Sequence, residues 1–212
     1  MKWEEFIQLV GNLPVIDTEI LLAGGVNPAF IRVQISRWRK SGKLIQLKRG
    51  VYLLAQRYRK IDVYTPYIAS LLKKPSYISL EKALEFHGLI PEKITVYTSV
   101  TTKRPAKFIS KAGVFDYRHI KKSLFWGYES VSMNKQTAFA AFPEKALLDL
   151  IYLKKTGVSL AYLEELRLQN TEKINLDKLS EFARRFKKPR VLAAAKLIRE
   201  YIKSCRIEEK IL

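Results

Sequence analysis

The sequence holds one cysteine, Cys205, and two histidines, His87 and His119, among 212 residues. A lone thiol cannot form an internal disulfide, and two histidines so far apart do not build the common zinc sites, so neither a secreted disulfide scaffold nor a metal centre is expected. Acidic residues are also scarce: 20 Asp and Glu stand against 39 Lys and Arg, for a net charge of +19. No cluster of acidic metal ligands is evident, which argues against a metal-dependent nuclease, and no enzyme activity, catalytic residue or cofactor is expected. Uncharged stretches such as residues 20–31 run to 12 residues, well short of the roughly 20 that span a bilayer. No membrane helix follows, and Glu4 and Glu5 behind Lys2 break the basic-then-apolar order of a signal peptide. A reducing, cytoplasmic location is the expectation.

What is present is a foldable chain, 48% hydrophobic and 28% charged, with enough apolar side chains to bury a core. The basic surplus is shared among residues 1–60, 61–170 and 171–212 rather than gathered in a tail. Such a field attracts polyanions, although Lys-rich solubility at high temperature is a plainer explanation of the same composition.

The first fifty-odd residues carry the clearest pattern. Trp3, Phe6, Ile7 and Val10 recur at helical spacing, and Gly11-Asn12 before Pro14 ends that helix. Asp17 or Thr18 caps a short second helix through Leu22, closed by Gly24-Gly25. Asn27 and Pro28 open a third helix that runs to about Ser41. On it Ile31, Ile35 and Trp38 share one face, Arg32, Val33, Ser36, Arg37 and Lys40 lie around the other, and no acidic residue occurs. That second face suits a DNA major groove: guanidinium groups reach guanine or phosphate, an apolar side chain meets a thymine methyl, and nothing repels the backbone. A merely solvated face would more often carry Glu as well. Residues 43–47 and 51–54 then flank Lys48-Arg49-Gly50 as a hairpin, whose Lys48 and Arg49 are placed to clamp a phosphate. The expectation is a winged helix-turn-helix over residues 1–56 that contacts operator DNA through Asn27, Arg32, Val33, Ser36, Arg37, Lys40, Lys48 and Arg49.

Residues 57–212 read as an α+β body, so the expected fold class is α+β, with a mixed body of a small antiparallel sheet and C-terminal helices. A polar, basic linker leads into a helix ending at Leu72. Ser79 is expected to cap a helix over 80–87, with His87 as a structural C-cap before Gly88. Residues 95–100, 114–119, 128–133 and 137–141 read as strands of the sheet. Pro143 starts a helix with Ala146, Leu147, Leu150 and Ile151 facing inward, Ser159 and Asn175 cap two more, and Pro189-Arg190 opens the last. Glu81, Glu144, Lys145 and Asp149 are read as dipole partners and solvated surface rather than as an acid–base site. Two basic groups remain: Lys103, Arg104, Lys107 and Lys111 around a strand turn, and Arg184, Arg185, Lys187, Lys188 and Arg190 near a helix junction.

Four segments also carry a resemblance: Tyr77-Ile78-Ser79-Leu80-Glu81-Lys82-Ala83-Leu84-Glu85-Phe86-His87-Gly88-Leu89-Ile90-Pro91-Glu92, then Thr98 to Pro105, Phe115-Asp116-Tyr117-Arg118-His119-Ile120, and Pro143-Glu144-Lys145-Ala146-Leu147-Leu148-Asp149. Together they resemble the abortive-infection AbiEi-like antitoxins, a family that also begins with a winged helix. The resemblance extends over nearly the whole chain, is strongest from Tyr77 to Leu153, and is weak over the last forty or so residues. It implies a transcriptional autorepressor of a type IV toxin-antitoxin operon whose body counters a nucleotidyltransferase-like toxin without needing a tight complex with it. Lys103, Arg104, Lys107 and Lys111 lie in or beside the resembling segments and are the candidates for that protective function. One departure is Phe142, where the family usually has a threonine, so this helix lacks a side-chain cap typically worth about 1 kcal/mol. The competing reading is a general RNA- or nucleic-acid-binding module without antitoxin activity.

Overall fold

The computed structural model describes residues 1–23, 27–154 and 157–208. Its first elements are α1 (Trp3–Val10), β1 (Val15–Asp17), α2 (Thr18–Ala23), α3 (Pro28–Lys40), β2 (Leu44–Lys48) and β3 (Val51–Leu54). Gly11 ends α1 with a positive φ of 61°, which a residue without Cβ adopts at little cost. The Asn27 side chain caps α3 by accepting from the amides of Ala29 and Phe30 at 3.0 and 3.3 Å, and Pro28 gives up no hydrogen bond in the first turn. The expected stop at Gly24-Gly25 lies outside the described residues. Ile31, Ile35 and Trp38 are buried against Trp3 and Phe6, with Trp38 ring centroids 5.1 and 4.4 Å from those two. β1 was not legible as a strand, yet it pairs with β3 to make a three-stranded antiparallel sheet in the order β1-β3-β2.

The remaining elements are α4 (Thr65–Leu72), β4 (Ser76–Ile78), α5 (Leu80–Phe86), β5 (Val96–Thr101), β6 (Ala106–Ser110), β7 (Gly113–His119), β8 (Tyr128–Met133), β9 (Gln136–Ala141), α6 (Pro143–Leu153), α7 (Leu160–Glu165), α8 (Leu176–Arg185) and α9 (Pro189–Glu208). The chain is thus mixed α and β. Its sheet is larger than the antiparallel one expected: six strands in the order β6-β7-β5-β4-β9-β8, with β5 parallel to β7 and β4 parallel to β9. The four expected strands are all there. The difference comes from β4, only three residues long, and β6, a lysine-bearing edge strand, neither of which shows enough alternation to declare itself.

Side chains on the sheet fix its two faces. Tyr117 donates to the Ala69 carbonyl of α4 at 2.6 Å. Through the pairs Ser99–Tyr117 and Ile78–Ser99, Tyr117 shares a face with Ile78. Neighbouring Tyr77 points the other way and donates to Asp149 of α6 at 2.9 Å. So α4 covers one face, and α6 covers the other with α8 and α9 behind it. The N-terminal elements lie on the α4 side, where Val15, Leu47, Val51 and Leu53 are part of the large apolar cluster of the body. Two polar links cross the same seam: Lys48 Nζ donates to the Leu72 carbonyl at 2.8 Å, and Lys74 Nζ to Asp17 Oδ2 at 3.1 Å.

Candidate nucleic-acid interface

Burial of Ile31, Ile35 and Trp38 turns the opposite side of α3 outward. Arg32, Val33, Ser36, Arg37, Arg39 and Lys40 are all exposed, with Val33 at 51%. Among the described residues none of these cations forms an ion pair. The side of α3 facing α2 and the hairpin opens on a groove of about 250 Å³ lined by Thr18, Leu22, Ile31, Arg32, Ile35, Ser36, Arg39, Arg49, Gly50 and Tyr52. Among the described residues three guanidinium groups and no carboxylate border it. Two contacts shape the walls. Thr18 Oγ1 and its amide both donate to the Gly50 carbonyl, at 3.1 and 2.8 Å, tying the hairpin turn to the start of α2. A Cβ on Gly50, whose φ is 85°, would lie 3.2 Å from that hydroxyl oxygen, so the tie itself requires glycine. On the other wall Arg39 donates to Gln46 of β2, which holds its guanidinium across the groove.

Most of the sequence-derived contacts fall on this surface. Arg32, Val33, Ser36, Arg37 and Lys40 share the exposed face of α3, Arg49 is exposed at the hairpin turn, and Asn27 stands at the N-terminus with its carbonyl oxygen occupied by the cap. Lys48 does not join them. Its ammonium turns from the hairpin toward the last carbonyl of α4, and burial lowers its pKa below the usual lysine value. The reason is register: Lys48 ends β2 after a bulge beyond Gln46, which directs it into the seam with the body while Arg49 takes the outer position. Arg39 is the contact candidate that periodicity missed. It lies near the boundary of the two faces, and only its bond to Gln46 on the next element brings it to the groove.

The basic residues of the body divide differently. Lys103 and Arg104 occupy the turn before β6, Lys107 lies within that strand, and Lys111 is in the turn after it. All four are exposed, but β6 separates the first two from Lys111 by roughly 15–20 Å of extended chain. They form a basic edge along β6 and not one convergent pocket.

Glu144, Lys145 and Asp149 are buried, contrary to the solvated surface expected of them. Lys145 and Asp149 are each 0% exposed and paired across one helical turn. Asp149 Oδ2 also accepts from Tyr77 and from Ser79, both at 2.9 Å, and Lys145 donates to the Tyr77 oxygen at 2.8 Å. Ser79 therefore serves Asp149 and does not cap α5. Burial raises the Asp149 pKa and lowers that of Lys145, each only partly offset by the attraction of its partner. Lys145 and Asp149, read from the sequence as dipole partners and solvated surface, both lie against the sheet, where Tyr77 and Ser79 supply the bonds that make burial tolerable. Glu144, one residue before Lys145, accepts from the Asn175 amide at 2.8 Å. His87 lies at the C-cap of α5, its Nε2 2.7 Å from the Ala141 carbonyl.

No described group of three or more His, Cys, Asp and Glu is arranged to hold a metal ion, and no described helix is long and apolar enough to cross a membrane. Neither the protein-family models nor the curated proteins compared with this chain give a match.

Proposed function

We propose that this chain is a DNA-binding autorepressor whose residues 1–56 act as a winged helix-turn-helix and whose body counters a nucleotidyltransferase-like toxin. One observation carries the DNA reading: the outer face of α3 is basic, free of carboxylates and continuous with Arg49 across an open groove. The element order α1, β1, α2, α3, β2, β3 supports it, since a helix pair followed by a short hairpin presents its second helix beside a basic turn. In this reading Arg32, Ser36, Arg37 and Lys40 face base edges and phosphates, Val33 meets a thymine methyl, and Arg39 and Arg49 hold the backbone on either side. The antitoxin half rests on the resemblance of residues 77–153, with the basic edge Lys103, Arg104, Lys107 and Lys111 as its candidate surface.

Gel shifts with the full-length protein and the DNA upstream of its own gene test the first half. Replacing Arg32, Arg37 and Arg49 together by alanine should weaken binding at least a hundredfold at fixed salt, since each lost contact costs about 1–3 kcal/mol, with the melting temperature unchanged. Unchanged affinity would sink the assigned face. Co-expression with a nucleotidyltransferase encoded beside the gene tests the second half: growth should be restored by the wild-type chain, and failure to restore it refutes the antitoxin assignment.

A further inference from the structure

A second basic surface lies on the α8 side of the molecule, around Trp126. The indole packs edge-on against Phe182 and Phe186, with centroids 4.9 and 5.7 Å away, and its Nε1 donates to the Ser123 carbonyl at 3.1 Å. The last turn of α8 lays the Arg185 guanidinium over the same ring, 3.8 Å from its centroid. Trp126 therefore joins two segments, the turn holding Lys121 and Lys122 and the end of α8 with Arg184, Arg185, Lys187 and Lys188. All six cations are exposed, and none forms an ion pair among the described residues. The nearest acidic residue in sequence, Glu181, lies one turn before Arg185 and is not paired with it.

The helix dipole accounts for a preference for cations at the end of α8 but not for Lys121 and Lys122, which belong to another segment. Nor does it account for a guanidinium held 3.8 Å above the centre of an indole. That contact holds Arg185 over the indole and leaves the exposed side chain an outward side on which an unstacked base can lie, with Lys121, Lys122, Lys187 and Lys188 on the two segments that Trp126 joins available for phosphates. A duplex hides the faces of its bases and could use only the charges. The central sheet also separates this surface from α3, since the N-terminal elements pack on the α4 side and Trp126 on the α6 and α8 side. DNA seated on α3 does not reach it.

We infer that the face around Trp126 and Arg185 is a second nucleic-acid site that binds a single strand, with a base stacked on the Arg185–Trp126 pair and its phosphates on Lys121, Lys122, Lys187 and Lys188. It does not depend on the operator assignment, and the two fail separately.

Fluorescence anisotropy of the full-length protein tests it, using labelled single-stranded RNA and DNA 12-mers and an abasic DNA strand of the same length. Both base-bearing strands should bind at least tenfold more tightly than the abasic strand, and the tighter of the two identifies the sugar. R185A/K188A should weaken single-strand binding at least tenfold and reduce the salt slope by about 0.7, for the one phosphate held by Lys188. The same variant should keep its far-ultraviolet CD spectrum and its affinity for the upstream duplex. R32A/R37A should leave single-strand binding unchanged. Equal binding of the abasic strand, displacement of the single strand by stoichiometric upstream duplex, or unchanged affinity in R185A/K188A would overturn the proposal.

Discussion

The buried Lys145–Asp149 pair shows how unevenly one residue change should act. Removing either charge alone leaves the other without compensation in the interior, a loss of about 3–5 kcal/mol. Replacing both by apolar residues of similar size is often neutral for an ordinary buried pair. Here it is not, because Tyr77 and Ser79 both donate to Asp149, and each orphaned hydroxyl costs about 1–3 kcal/mol. We expect K145M/D149L to remain destabilised by about 2 kcal/mol or more in urea titrations, and the further changes Tyr77→Phe and Ser79→Ala to recover most of that loss. A double variant as stable as wild type would mean that the hydroxyls find other partners. No sequence pattern announces this network. An i, i+4 Lys–Asp pair looks the same on a solvated helix, and its burial depends on two hydroxyls about seventy residues earlier.

At the scale of elements, Lys48 links β2 to α4. Its bond to the Leu72 carbonyl places a cation at the C-terminal end of a helix, where the dipole favours it. A charge-assisted bond contributes about 1.5–3 kcal/mol when buried, and its partial exposure discounts that to about 1 kcal/mol. K48M should therefore lower stability by about 1 kcal/mol without changing affinity for upstream DNA, whereas R49A should do the reverse. Equal losses of affinity in the two variants would return Lys48 to the proposed DNA surface. The pH dependence reports the burial cost that opposes this bond. Burial holds the Lys48 pKa below the 10.5 of the unfolded chain, so the unfolded state binds more protons just below that value and stability from this group rises with pH there. K48M should flatten that part of the rise. Helix α3 and the hairpin were legible because capping, apolar spacing and turn residues agree locally. The direction of Lys48 was not, since the bulge beyond Gln46 is invisible until strands pair, and the parallel contacts of β5 and β4 join residues 18 and 62 positions apart, as in Val96–Val114 and Ile78–Ala140.

Across the whole molecule, the N-terminal elements have a small apolar cluster of their own around Phe6 and Trp38, yet Val15, Leu47, Val51 and Leu53 lie in the large one. The back of the three-stranded sheet is thus part of the core of the body, and opening the seam exposes apolar surface on both sides. That predicts one cooperative unfolding transition for the described chain. A Trp126→Phe variant tests it, because its fluorescence then reports only Trp3 and Trp38 while far-ultraviolet CD reports all helices. The two denaturation curves should coincide. Leu53→Ala, which removes a nearly fully buried side chain at the seam, should shift both curves together by about 2–5 kcal/mol. If the fluorescence curve moves and the CD curve splits into two steps, the N-terminal elements unfold independently. With a coupled seam, a duplex bound to α3 at a hundred times its Kd would stabilise α6 and α8 as well, by about 2.7 kcal/mol. Two surfaces on opposite sides of the sheet would then share one folding equilibrium, and occupation of either would protect the other from unfolding.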